Sequence, residues 1–380
     1  MSYTNRAAWL PFKSAKPLKV GSAPYTPPGP GQIVVQNRAV AINKVDWGKQ
    51  IIGDLGLNYI KYPFILGGDV AGIVVAIGPG VQRFRIGDRV LGSAVAISEE
   101  SNNPAEGAFQ SFTVIREHLA APLPDHVTFE RASVLPLCLS TAAYGLFHSG
   151  SLALGVPELP ASVKLINNSE QRRVVLITAG ASSVGCCAIQ LASAAGYEVL
   201  STASPKNFDY VKKLGAEHVF DYRSATLVDD ILAKLPGRNL MGAYAIGEGA
   251  IQTCCGVLKS HKGPKRMFVA DAGGDFPVHW LDTPVGIAGL VVSMMWSMGK
   301  AALSRYMSGV QVKFVDGKDL CDPDGVVGRV YCDYLPRALA ERRFVPAPEP
   351  LVVGKGLDKI QEAMDRHLKG VSAKKVVVSL

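Results

Sequence analysis

One stretch narrows the possible folds more than any other. Val174-Val175-Leu176-Ile177 is a short apolar run; it breaks into a turn of small residues over 179–185, and a helical pattern follows through Ile189, Gln190 and Leu191. A strand that runs through a tight turn straight into a helix opens a βαβ unit, which demands a parallel sheet covered by helices. The same order aims backbone N–H groups and a helix N-terminus at one place, an arrangement that suits an anion such as a dinucleotide pyrophosphate. The candidate contacts are Gly180, Ser182, Ser183, Val184 and Gly185. These glycines do not fit G-x-G-x-x-G, so the turn alone leaves a purely structural role open.

The second strand, 198–202, sharpens the reading. It ends at Ser204-Pro205-Lys206-Asn207, where a site for NAD would carry Asp or Glu. An acidic group there accepts from a ribose 2′-hydroxyl but repels a 2′-phosphate, whereas a serine hydroxyl and a lysine charge suit the phosphate. The expected cofactor is therefore NADPH. Asn207 and Tyr222 are placed to help at the adenosine end; Tyr222 serves equally as a stacking face or as a strand-end core tyrosine.

The strand–helix alternation continues after residue 174. Helices are expected at 184–195, 208–214 and 228–235, with strands at 218–220, 241–245 and 267–270, the pattern of a doubly wound parallel sheet. Before residue 141 the chain reads differently, with short β-branched runs at 33–40, 72–77 and 89–91 between Gly/Pro turns. Helices at 328–342 and 357–369 and a closing strand at 375–378 follow the αβ part. At 380 residues and 48% hydrophobic the chain is long enough for two cores. Its formal charge of +8 is spread out, reading as a solvated basic surface or as attraction for anionic ligands. No aromatic–basic interleaving of the kind single-stranded nucleic acid needs is present. Seven cysteines without a C-x-x-C argue against a disulfide framework and for a reducing cytoplasm. The first ten residues lack the apolar core of a signal peptide. Residues 283–298 carry no charge, yet Pro284 and two glycines interrupt them, so a buried or substrate-facing segment is expected rather than a membrane span.

Several segments in order carry a family resemblance. They are Ala41-Ile42-Asn43-Lys44-Val45-Asp46-Trp47, Pro63-Phe64-Ile65-Leu66-Gly67-Gly68-Asp69-Val70-Ala71-Gly72, Gly87-Asp88-Arg89-Val90, Leu135-Pro136 with Ser140-Thr141-Ala142, the cofactor turn, and Leu214-Gly215-Ala216-Glu217. Together they resemble the medium-chain dehydrogenase/reductase superfamily. The resemblance implies an α/β chain with a GroES-like β-barrel catalytic domain and a doubly wound Rossmann cofactor domain. The expected boundaries are 1–135 for the first part of the barrel, 136–320 for the NADPH domain and 321–380 for the return to the barrel. It also implies a cleft for nicotinamide and substrate, with Val45, Asp46, Trp47, Gly48, Val371 and Ser372 on the cofactor.

Zinc-dependent members hold a metal with thiolate and imidazole ligands. In this sequence Asn43 stands at the first ligand cysteine and Gly68 at the ligand histidine; Cys138 lies near the third ligand, one residue out of register. Residues 92–112, where a structural zinc lobe would lie, contain no cysteine. No metal is expected, and Cys138 reads as a core or pocket thiol. Zinc-free members mostly reduce activated C=C bonds. Ser204-Pro205-Lys206-Asn207-Phe208-Asp209 and Phe220-Asp221-Tyr222-Arg223 further resemble fungal trans-acting enoyl reductases of polyketide pathways. That likeness implies an enoyl thioester or enone substrate, free or on an acyl carrier domain of a polyketide synthase, and a monomer or homodimer.

Catalytic candidates follow from the same likeness. A lysine shortly after the first motif serves the group, but Gly48 stands there, so Lys49 either substitutes for it or is a solvated barrel residue. Thr141 is the second candidate. Leu137, Cys138 and Ser140 are expected at the substrate, with a helix N-cap an equal reading for Ser140 and Thr141. Asp46 either orients local backbone or acts as a base. The alternatives to an enoyl reductase are a quinone oxidoreductase or general enone detoxifier, and an NADPH-binding interaction protein without turnover.

Overall fold

The computed structural model describes residues 3–54, 57–158, 172–271, 309–315 and 318–380, with helical positions at 286, 288, 289, 292, 295, 296, 299, 302, 303 and 306. Its contacts divide it into two compact units, Met1–Ser140 with Gly317–Leu380, and Thr141–Asp316.

The first unit opens with β1 (Asn5–Leu10), β2 (Lys19–Ala23) and β3 (Gln32–Ala41), then helix α1 (Lys44–Ile52). After β4 (Phe64–Ile65) come β5 (Asp69–Ile77), β6 (Arg89–Ser93), β7 (Phe112–Arg116) and β8 (Ala120–Pro122). Two helices follow, α2 (Phe129–Ala132) and α3 (Pro136–Phe147). Proline at the first position of α3 loses no hydrogen bond and presets the helical φ. Ser140 and Thr141 thus lie inside the helix, and the N-cap reading for them is corrected. The runs expected at 33–40, 72–77 and 89–91 are β3, β5 and β6; β1, β2 and β7 were not read from the sequence.

The second unit is built on six parallel strands: β9 (Arg172–Ile177), β10 (Glu198–Ala203), β11 (Ala216–Asp221), β12 (Arg238–Ile246), β13 (Arg266–Asp271) and β14 (Gln311–Phe314). Between them run α4 (Ser183–Ala194), α5 (Phe208–Lys213), α6 (Leu227–Leu232) and α7 (Ala250–Ser260). Strand order β11-β10-β9-β12-β13-β14 reverses direction between β9 and β12. In such sheets ligands bind beyond the carboxyl ends of the strands at that reversal, and the turn after β9 sits there. The last four residues of β9 are buried, as expected for a strand covered on both faces.

The chain then returns to the first unit with α8 (Val326–Arg329), a π turn (Val330–Tyr334) and α9 (Leu335–Ala340). It ends with β15 (Glu349–Lys355), α10 (Ile360–Leu368) and β16 (Lys374–Ser379). β16 lies between β15 and β3, so the last residues complete a seven-stranded sheet with β3, β5, β6, β7 and β8. Val376 and Val378 join Leu10, Ile33, Val40 and Phe64 in one buried cluster.

Of residues 283–298, Val285, Ile287, Leu290, Val291 and Met294 lie outside the described residues. The described side chains Val292, Met295 and Trp296 are exposed, which corrects the buried reading for those three.

Candidate functional site

In the second unit the turn between β9 and α4 is held by its own polar groups. Ala179 takes φ +48°, its N–H donates to Thr202 Oγ1 at 3.0 Å, and Gly180 N–H donates to the Thr202 carbonyl at 2.8 Å. Ser182 is the N-cap of α4, its Oγ accepting from Gly185 N–H at 3.1 Å. Gly185 is required by close approach, because a Cβ there would lie 2.3 Å from the Ala179 carbonyl oxygen. The chain thereby folds back onto the helix entrance, where first-turn N–H groups lack intrahelical acceptors and carry partial positive charge.

At the end of β10, Ser204 begins a 3-10 turn (Pro205–Asn207); Asn207 Nδ2 donates to Ser204 Oγ at 3.1 Å, and Lys206 is exposed. The neighbouring β11 ends opposite, with Ala203 in register with Asp221. Tyr222 just beyond it is 50% exposed, so it is not the core tyrosine of the alternative reading. Arg223 stacks on that ring at 5.0 Å and donates to its hydroxyl at 2.9 Å. Sequence reasoning gave Arg223 no role. A hydroxyl, two cations and an aromatic face at the ends of adjacent strands, with no acidic side chain in Ser204–Asn207, fit an adenosine 2′-phosphate.

In the first unit, a buried polar cluster gathers around Lys375. Its ammonium donates to Asn43 Oδ1 at 2.5 Å and to Cys138 Sγ at 3.3 Å, and pairs with Asp69 Oδ2 at 3.1 Å. Asp69 also accepts from Asn43 Nδ2 at 2.8 Å and from Leu137 N–H at 2.6 Å. Burial works against the ammonium, but Asp69 and Cys138 outweigh it and hold Lys375 above the usual lysine range. Asp46 lies one helical turn on. Its Oδ2 accepts from Asn43 N–H at 2.7 Å, and burial, with Asp69 adding, raises its carboxyl to about 7 against the pull of Asn43 N–H and Lys375. Asp46 therefore does orient local backbone. Neither Asp69 nor Lys375 was singled out from the sequence; a charged residue inside an apolar strand run was the available signal.

The remaining predicted residues are placed as follows. Val45, Trp47 and Gly48 are half-buried on α1, with Trp47 Nε1 donating to His367 Nδ1 at 2.8 Å. Lys49 is 1% exposed, so it is not solvated. Its ammonium contacts Asp54 Oδ1 at 3.2 Å, the Leu57 carbonyl at 2.9 Å and the Tyr62 ring at 5.3 Å, away from the Lys375 cluster's contacts. Ser140 Oγ donates to the Pro136 carbonyl at 2.9 Å and meets Tyr331 OH at 3.0 Å. Thr141 is half-buried and its carbonyl accepts from Tyr244 OH at 2.7 Å. Val371 and Ser372 lie in the turn before β16.

Comparison with known proteins gives this geometry a context. Residues 29–125 match the family model for an alcohol dehydrogenase GroES-like domain, and residues 183–260 match that for a zinc-binding dehydrogenase. The chain is 45% identical to dehydrogenase pigH of Monascus ruber over 99% of its own length and 100% of that protein. It is 36% identical to the trans-enoyl reductase himH of Aspergillus japonicus, over 100% of this chain and 98% of the relative. An alcohol dehydrogenase superfamily protein from Novosphingobium aromaticivorans shares the fold, with a TM-score of 0.72 at 22% identity over 99% of this chain and 100% of that one.

The second family description brings zinc into question, and the residues do not fit it. Asn43 offers a carboxamide, Gly68 offers nothing, and a Cβ on Gly68 would already lie 2.7 Å from Leu137 Cδ1. Cys138 is the single thiol, and the Lys375 ammonium stands among the polar atoms a cation would use. Among the described residues no group of three or more His, Cys, Asp or Glu side chains could hold a metal ion.

Proposed function

Since the chain belongs to the medium-chain dehydrogenase/reductase superfamily and is an oxidoreductase of that family, we propose that it reduces a C=C bond conjugated to a carbonyl, with NADPH as donor. The substrate class proposed is an enoyl thioester or related enone of fungal secondary metabolism. The observation that carries the reading is the pairing of a phosphate-suited strand end, Ser204, Lys206 and Arg223, with a barrel whose metal-ligand positions hold Asn43 and Gly68. Relatives named trans-enoyl reductases, spanning nearly the whole chain, support the alkene.

NADPH, when bound, supplies a hydride. The turn 179–185 and the N-terminus of α4 would take its pyrophosphate, and Ser204, Lys206 and Arg223 its 2′-phosphate, with Tyr222 against the adenine. Val45–Gly48, Val371 and Ser372 are proposed at the nicotinamide. In the acceptor set, Leu137 supplies an apolar wall and Thr141 is proposed to offer its hydroxyl to the carbonyl oxygen as negative charge develops on it, whereas Ser140 would first have to release the Pro136 carbonyl. The enolate takes its α-proton from solvent, so no dedicated acid is required. For Lys49 to act on substrate its ammonium would first have to leave Asp54 and Leu57; its role in the resting structure is to hold the end of α1. A carrier-bound substrate would present an acidic carrier domain to a basic protein of formal charge +8. Among the described residues no helix is long and apolar enough to cross a membrane, and the cytoplasm is the proposed location.

The test is purified protein with NADPH against a panel of acyl-thioester enoyls, small enones and quinones, with and without chelator. Thioester or enone turnover indifferent to chelator is expected. Turnover of quinones alone would assign a quinone oxidoreductase instead, and NADPH binding without any turnover would assign an interaction protein.

A further inference from the structure

We propose that Lys375 is the resident cation of the barrel, standing in place of a metal ion, and that it is a positioning residue for the proposed reduction. An ammonium has three N–H donors, and three acceptors surround this one: Asn43 Oδ1 at 2.5 Å, Asp69 Oδ2 at 3.1 Å and Cys138 Sγ at 3.3 Å. An amide oxygen, a carboxylate and a sulfur around one buried point form a cage for a small cation, and the chain fills it with its own side chain. Lys375 is 2% exposed and Asp69 0%, so neither charge has water to fall back on. The three acceptors belong to separate elements. Asn43 caps α1, Asp69 opens β5, and Cys138 lies in the first turn of α3, while Lys375 itself comes from β16. One ammonium therefore fixes the start of α1, with Val45–Gly48, and the start of α3, with Leu137 and Ser140. A divalent ion entering the cage would have to expel a covalently tethered charge. The effect on turnover rests on the reduction proposed above; the electrostatic role does not.

The test is a charge cycle with chemical rescue. Lys375→Met strands the Asp69 carboxylate and should lower the melting temperature by roughly 6–15 °C. Adding Asp69→Asn removes the stranded charge and should return at least half of that loss; additive losses in the double variant would overturn the proposal. Lys375→Ala lacks a propylammonium-sized piece. Added propylammonium should raise its melting temperature and its kcat in a saturable way, while n-propanol, the neutral match in size, should not. Equal rescue by both would mean that the side chain only fills space, and rescue by neither in a folded variant would overturn the positioning role. Should Lys375→Ala fail to fold, the double variant with Asp69→Asn still decides the cycle. Wild-type protein binding one equivalent of Co²⁺ with a thiolate absorption that Cys138→Ser abolishes would also overturn it. If wild type reduces no acceptor, the reductase reading fails on that result alone, while the melting data still judge the cage.

Discussion

Asp46 shows how a single buried carboxyl carries both structure and pH dependence. Burial raises it to about 7, well above the usual carboxylate range; Asp69 pushes the same way, while Asn43 N–H, Lys375 and Gly67 N–H pull it down. An acid whose folded pKa exceeds its unfolded one binds more protons when folded. The stability it contributes is therefore full below about 4, the unfolded value, and is lost as pH rises through about 7. A tenfold change in a protonation equilibrium is worth ~1.4 kcal/mol, so the whole effect is a few kcal/mol at most. Urea titrations across that range should show wild type falling relative to Asp46→Asn; parallel curves would mean the carboxyl stays ionised. Lys206 acts at the same scale. If Lys206 holds the 2′-phosphate as proposed, Lys206→Ala removes one charge-assisted contact, worth on the order of 1–2 kcal/mol, and should cut the preference for NADPH over NADH about tenfold in kcat/KM; an unchanged preference would refute that role. The proposed role of Lys206 could be read from the sequence because no acid stands where NAD would need one. Lys375 was not, since its partners Asn43 and Cys138 lie 332 and 237 residues away.

Among elements, the β9–turn–α4 unit is held by local geometry and is therefore the most legible. The expected strand 174–177 and helix 184–195 correspond to β9 (Arg172–Ile177) and α4 (Ser183–Ala194). Gly185→Ala places a methyl 2.3 Å from the Ala179 carbonyl. Turn or helix must shift, at a cost of roughly 1–3 kcal/mol, and NADPH affinity measured by fluorescence titration should fall at least about tenfold. Ser182→Ala removes only the cap; a loss of about 1 kcal/mol in denaturant unfolding is expected, with cofactor preference unchanged. The sequence did not show α3, which is apolar on every side, nor β1 and β2, which are short and partly exposed. Such runs lack the clean period that separates strand from helix.

At the scale of the whole molecule, the first unit is closed by its last strand. β16 pairs with β15 on one side and β3 on the other, and Lys375 through Val378 are buried. Deleting residues 374–380 removes that strand and leaves Asp69 without its cation. The first unit should then lose cooperative unfolding and become sensitive to limited proteolysis; a truncated protein with wild-type protection would refute this. The sequence by itself determined the αβ alternation, the tight turn between β9 and α4 and a strand end without an acidic residue, because each is written within one turn or one βα unit. Only the tertiary structure decided where the ammoniums go. Lys49 turns to Asp54 and Tyr62, five and thirteen residues on, and Lys375 to a cage assembled from α1, β5 and α3. The partner of a buried charge is chosen by whichever acceptors the closed fold leaves without water, and that choice does not exist until distant segments have met.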